Sequence, residues 1–168
     1  MDTQPLFFLS VLLGFVCWGL AGKWYLWPWL SVTPFERAVM PLLLFHSFRY
    51  IGLAFVIPGV VDPDLSPGFA NPAAYGDLLA AALALLALAA LRFRWGVLIP
   101  LLWLFNVVGS LDLLNAFAQA FRHRVTADQL GATYFIPTFV VPALFVTHAA
   151  LFWLLLRHAT PGAKKLGG

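Results

Sequence analysis

Apolar residues run along the chain in five blocks, separated by short segments rich in proline, glycine, tryptophan or charge. A bilayer crossing takes about 20 apolar residues. The blocks fall at about residues 5–22, 35–60, 77–91, 96–121 and 134–156. This pattern predicts an all-α, polytopic integral membrane protein with five transmembrane helices in one bundle. It forms a single domain over residues 1–158, followed by a disordered basic tail over 159–168.

The first block follows Met1-Asp2-Thr3-Gln4, which lacks a basic side chain, so it reads as a retained helix rather than a signal peptide. Lys23-Trp24-Tyr25-Leu26-Trp27-Pro28-Trp29 reads as a linker forming an interfacial aromatic belt. In the second block His46 and Arg49 share a helix face, and Pro58-Gly59 ends the helix. Residues 61–76, rich in proline and glycine, read as a loop in which Asp62 and Asp64 are solvated. Asp77 then opens an Ala- and Leu-rich scaffold helix, where its carboxylate complements the helix dipole.

The fourth block breaks the apolar pattern most. Between Phe105 and Gln119 it carries Asn106, Ser110, Asp112, Asn115 and Gln119. A carboxylate at that depth costs at least ~2.5 kcal/mol, and intramembrane ionisable residues mark functional sites. Asp112, Asn115 and Gln119 share one helical face, while Trp103, Asn106 and Ser110 share another. Two polar faces predict a helix central to the bundle.

Composition agrees: 62% of the 168 residues are hydrophobic and 10% are charged, too few charges for a soluble domain. The net charge of +3 is scattered over helix ends rather than gathered in a patch, which argues against a nucleic-acid partner. Cys17 is the sole cysteine, which excludes an internal disulfide and a multi-cysteine metal site, and no metal ligands are assigned. The sequence contains no P-loop, zinc-protease or serine-hydrolase motif. Residues 50–91 contain neither Lys nor Arg, whereas Lys23, Arg37, Arg92, Arg94, Arg157, Lys164 and Lys165 fall on the other side. That bias predicts an inner (plasma) membrane protein with its N-terminus outside and its C-terminus cytoplasmic.

At 1.5 Å per residue, His46 and His148 lie roughly 12 Å from the cytoplasmic end, Asn106 about 14 Å, Arg49 about 17 Å and Asp112 about 22 Å. An unpaired Arg and an unpaired Asp are each costly there, so Arg49 is expected to pair with Asp112, with Asn106 and Asn115 filling the remaining hydrogen-bond positions.

Four functions fit these residues. The favoured one is binding, and in an enzyme transforming, a small lipophilic molecule. His148 and His46 would then move a proton, Asp112 would set the imidazole tautomer, and Arg49, Asn106, Asn115, Gln119 and Tyr134 would contact the ligand. A second reading makes His46 and His148 axial ligands of a haem, the cofactor these residues admit. A third is transport or a proton relay through Asp112 and the histidines. In the fourth, the polar side chains hold helices together in a structural subunit, as a homo-oligomer or with other membrane subunits.

Overall fold

The computed structural model describes residues 3–159, and the tail over 160–168 lies outside the described residues. The fold is all-helical among them, and five helices are long and apolar enough to cross a membrane: α1 (Gln4–Val32), α2 (Phe35–Val56), α3 (Pro67–Arg92), α4 (Leu98–Arg122) and α5 (Ile136–Ala159). Helices α2 to α5 form an antiparallel ring in which α3 packs on α2 and α4, and α5 closes the ring against α4 and α2.

Helix α1 stands outside this ring. It docks on α5 through a ladder of aromatic pairs, Trp18 with Phe139, Phe15 with Phe145 and Trp27 with Trp153. Gly14 makes the approach close, since a Cβ there would strike Thr138 O. The aromatic segment expected as a linker is helical instead and extends α1. Pro28 lacks the N–H that a continuous helix needs and crowds the carbonyl four residues back. A π turn over Gly22–Leu26, with Trp27 N–H donating to Gly22 O, widens the helix just ahead of it.

Helix α2 changes type along its length. It is α-helical over Phe35–Ser47 and 3₁₀ over Phe48–Val56. Three residues per turn align Arg49, Gly52 and Phe55 on one buried edge. The helix stops at Val56, short of the predicted 60, because Ile57 precedes Pro58 and is held extended.

The largest departure from expectation is in α3, which starts at Pro67 and not at Asp77. Ser66 caps it by accepting from Gly68 N–H, and Pro67 occupies the first turn, where its missing N–H is not needed. The helix thus starts ten residues earlier than predicted, and Asp77 lies mid-helix. The buried face of α3 is a stripe of small side chains, Ala70, Ala73, Ala74, Ala80, Ala81, Ala84 and Ala87, interrupted only by Asp77. Helix α4 is not central. It turns Leu104, Val107, Leu111 and Leu114 outward and directs Asp112 to α3 and Asn106 to α5.

The connections after α2 and after α4 are tied together, Ala132 N–H to Val60 O and Asp62 N–H to Gln129 O, both at 3.0 Å. Gly131 permits this: its φ is +50°, and a Cβ would meet Val60 O. Both α3 and α4 end in Schellman turns whose left-handed residue is an arginine, Arg94 or Arg124.

The ring interior is layered. One apolar cluster, built on Leu42, Leu43, Leu102, Phe105, Leu151 and Leu155, fills the end nearer the chain's C-terminus. A second, with Phe55, Leu65, Phe69, Leu130 and Ile136, fills the loop-tied end. Between these clusters lie His46, Ser47 and Arg49 on α2, Asp77 on α3, Asn106 on α4, and Thr147 and His148 on α5.

Candidate functional site

Arg49 is the hub of the polar layer. It is 2% exposed, and its guanidinium reaches all three other helices of the ring. Nε donates to Asp77 Oδ1 on α3 at 2.7 Å, and Nη2 donates to Asp112 Oδ2 on α4 at 2.5 Å. Nη1 donates to Gly109 O at 3.2 Å and meets His148 Nε2 on α5 at 3.3 Å. Arg49 and Asp112 therefore sit together, in the pairing that cost alone suggested. Asp77 is a second carboxylate partner, which the sequence pattern placed at the N-terminus of its helix.

Hydrogen-bond logic fixes the imidazole. Guanidinium has only donors, so His148 Nε2 must accept and the proton resides on Nδ1. Nδ1–H then donates to Asn106 Oδ1 at 2.6 Å, and Asn106 Nδ2 donates to His148 O at 3.3 Å. Asn106 thus sets the tautomer, the role expected of Asp112. His46 is separate from this chain. Thr147 Oγ1 donates to Ala143 O at 2.8 Å, so His46 Nε2–H donates to Thr147 Oγ1 at 3.0 Å and Nδ1 is left without a donor.

Three glycines make room for these groups, one on each of α2, α3 and α4. A Cβ at Gly109 would meet the His148 ring and Arg49 Nη1, one at Gly76 would overlap Asp112 Oδ1, and one at Gly52 would overlap Asp77 Oδ2.

Beside this layer, between the ring and the N-terminal half of α1, is a cavity of about 600 Å³. Six phenylalanines wall it, Phe7, Phe8, Phe55, Phe69, Phe117 and Phe121, with Val11, Ala73, Leu113, Ala116 and Ala120 between them. Asp77 and Asp112 lie at its inner limit, each roughly ten residues, or about 15 Å, along its helix from the loop-tied end. Gln4, Arg124 and Thr126 lie at the other limit, at the level of the loops. The cavity reaches from one end of the bundle to its middle.

The predicted site residues divide accordingly. Arg49, Asn106, Asp112 and His148 form one network, with the His46 ring packed on His148 at a centroid distance of 4.2 Å. Of the predicted set, Asp112 alone lines the cavity among the described residues. His46 and His148 do not line this cavity, since each ring packs against neighbouring helices and Phe105. No porphyrin fits between two rings in direct contact, and both His148 nitrogens are engaged, so the pair is not a haem-ligand geometry.

Asn115 is exposed and Gln119 half-buried, and neither side chain bonds to the network. The cavity face of α4 runs through Leu113, Ala116, Phe117 and Ala120, which leaves Asp112 at its margin and those two amides beyond it. Tyr134 serves α1 docking instead, its hydroxyl donating to Ser10 Oγ at 2.9 Å. His123 is half-buried with Nδ1 3.0 Å from Ser66 Oγ at the cap of α3.

Sequence did carry a signal for Asp77. It lies in register with the alanines of α3 at spacings of three and four residues, a buried position by periodicity. The Phe-lined cavity had no comparable signal, since its walls come from α1, the ring and the second connection together.

Comparison with curated proteins and with solved structures gives no match. Over residues 6–156 the chain matches the family described as Domain of unknown function (DUF8737), and it belongs to that family.

Proposed function

We propose that this is a multi-pass inner-membrane protein that binds a small lipophilic molecule in the cavity between α1 and the ring. The single observation that carries this reading is an aromatic-walled space of about 600 Å³ that ends at Asp77 and Asp112. Its volume lies within the usual range for small-ligand sites, and an apolar wall with a few placed polar groups is their usual make-up. With the N-terminus outside, the loop-level limit of the cavity faces the outer surface. The ligand site is therefore Asp112, Asp77 and the phenylalanine walls, while Arg49, Asn106 and His148 hold the carboxylates in place from behind.

A benzophenone-bearing alkyl probe in nanodiscs tests this. Photolabelling should concentrate on residues 7–11 and 113–121 and be lost in Ala120→Trp, which fills the space. Equal labelling of all outward-facing helix surfaces, unchanged in that variant, would overturn the reading.

One observation favours a second reading for the histidines. His46 and His148 bond only to neighbouring helices, as residues that hold a bundle together do. If the whole layer is structural, the chain is an accessory subunit, and the same labelling experiment returns no focus.

A further inference from the structure

Resting on that cavity, we infer that its ligand is a lipophilic ammonium: a protonated amine on an apolar, aromatic-compatible body. Three charged side chains meet at the inner limit, and they do not balance. Arg49 supplies one positive charge against the carboxylates of Asp77 and Asp112. Each carboxylate is engaged by Arg49 through one oxygen, and the second oxygen has no donor among the described residues. Both residues line the cavity.

With both carboxylates ionised, a neutral ligand leaves one buried negative charge uncompensated, and an anionic group there would add to it. An ammonium supplies both what the charge count lacks and the N–H donors that the free oxygens accept. The walls suit the same group, since phenylalanine faces attract a desolvated cation. Arg124 at the loop-level limit is the one feature that favours an anion, and it stands at the opposite end of the space from the carboxylates.

Three probes on one skeleton separate the cases: 3,3-diphenylpropylamine, 3,3-diphenylpropanol and 3,3-diphenylpropanoate, titrated into the full-length protein in zwitterionic nanodiscs near neutral pH. The ammonium should bind about tenfold or more tightly than the alcohol, the size of one charge-assisted hydrogen bond, and the carboxylate weakest. Asp112→Asn and Asp77→Asn, tested separately in case one does not fold, should each remove the preference for the ammonium over the alcohol. Equal binding of amine and alcohol would overturn the ammonium inference and leave the lipophilic site standing. Tightest binding of the carboxylate, lost in Arg124→Gln, would also overturn it, in favour of an anion held at the mouth. No binding by any probe, with no effect of Ala120→Trp, would remove both.

Discussion

Asn106 Oδ1 lies 2.6 Å from His148 Nδ1, and the other nitrogen of that ring accepts from Arg49. The two contacts make His148 a relay between a neutral amide and a guanidinium. Asn106→Leu removes the acceptor and leaves a buried N–H unpaired, which costs about 1–3 kcal/mol. Unfolding in mixed micelles should show that loss with the helical circular dichroism unchanged. A variant as stable as the parent would mean that the imidazole has another acceptor.

Arg49→Leu should be the most damaging single change in the polar layer. It leaves two carboxylates buried without their cation, and breaking one buried pair already costs about 3–5 kcal/mol. Asp112→Leu should cost less, because Asp77 still faces the guanidinium. The triple variant with Leu at 49, 77 and 112 should recover much of the stability lost in Arg49→Leu. Additive losses across the series would show that the three groups are not coupled.

Gly76→Ala tests the packing behind the ion pair. The new methyl overlaps Asp112 Oδ1 and forces that carboxylate away from Arg49. A cost of about 1–3 kcal/mol follows from overpacking. Gly19→Ala is the control, since nothing lies within 4 Å of a Cβ there. Equal melting temperatures for both variants would contradict the tight approach of α3 to α4.

Gly14→Leu should lift α1 from α5, since even a methyl at this position strikes Thr138 O. Cysteines at positions 10 and 134, in a Cys17→Ser background, replace the Tyr134–Ser10 hydrogen bond and should be bridged by a short bifunctional thiol reagent that makes up for the lost tyrosine ring. The yield should fall several-fold when Gly14→Leu is added. An unchanged yield would show that α1 does not dock through this glycine.

Topology has a direct measure. A fluorescent protein fused to the C-terminus and able to fold only in the cytoplasm should be bright. A periplasm-dependent phosphatase in the same place should be inactive, and the reverse pattern would invert the bundle.

The helices were legible in the sequence because apolar length suffices to find them. Their ends were less so, for reasons that individual residues show. Pro67 and Pro28 read as breakers, yet the first opens a helix and the second is absorbed by a π turn. Reading Pro67 as loop moved Asp77 from mid-helix to a helix end, and so lost half of the acidic pair. The cost of burying charge found Arg49 with Asp112, since it needs no knowledge of helix ends beyond a turn. Asn115 and Gln119 were misjudged for the opposite reason. Helical periodicity gives a shared face, but it does not say whether that face meets a neighbour, and on α4 the cavity begins just beside it.

The change of helix type within α2 fixes how far that segment reaches. Its 13 α-helical and 9 3₁₀ residues rise about 1.5 Å and about 2.0 Å each, roughly 37 Å in all. The 26 residues of α3 rise roughly 39 Å. Twenty-two residues thus match the height of twenty-six, and residue count is a poor ruler for this helix. Had α2 stayed α-helical to its end, it would fall about 4–5 Å short. Phe55 would then drop below Phe69, its edge-on ring partner, and the inner wall of the cavity would lose its aromatic corner.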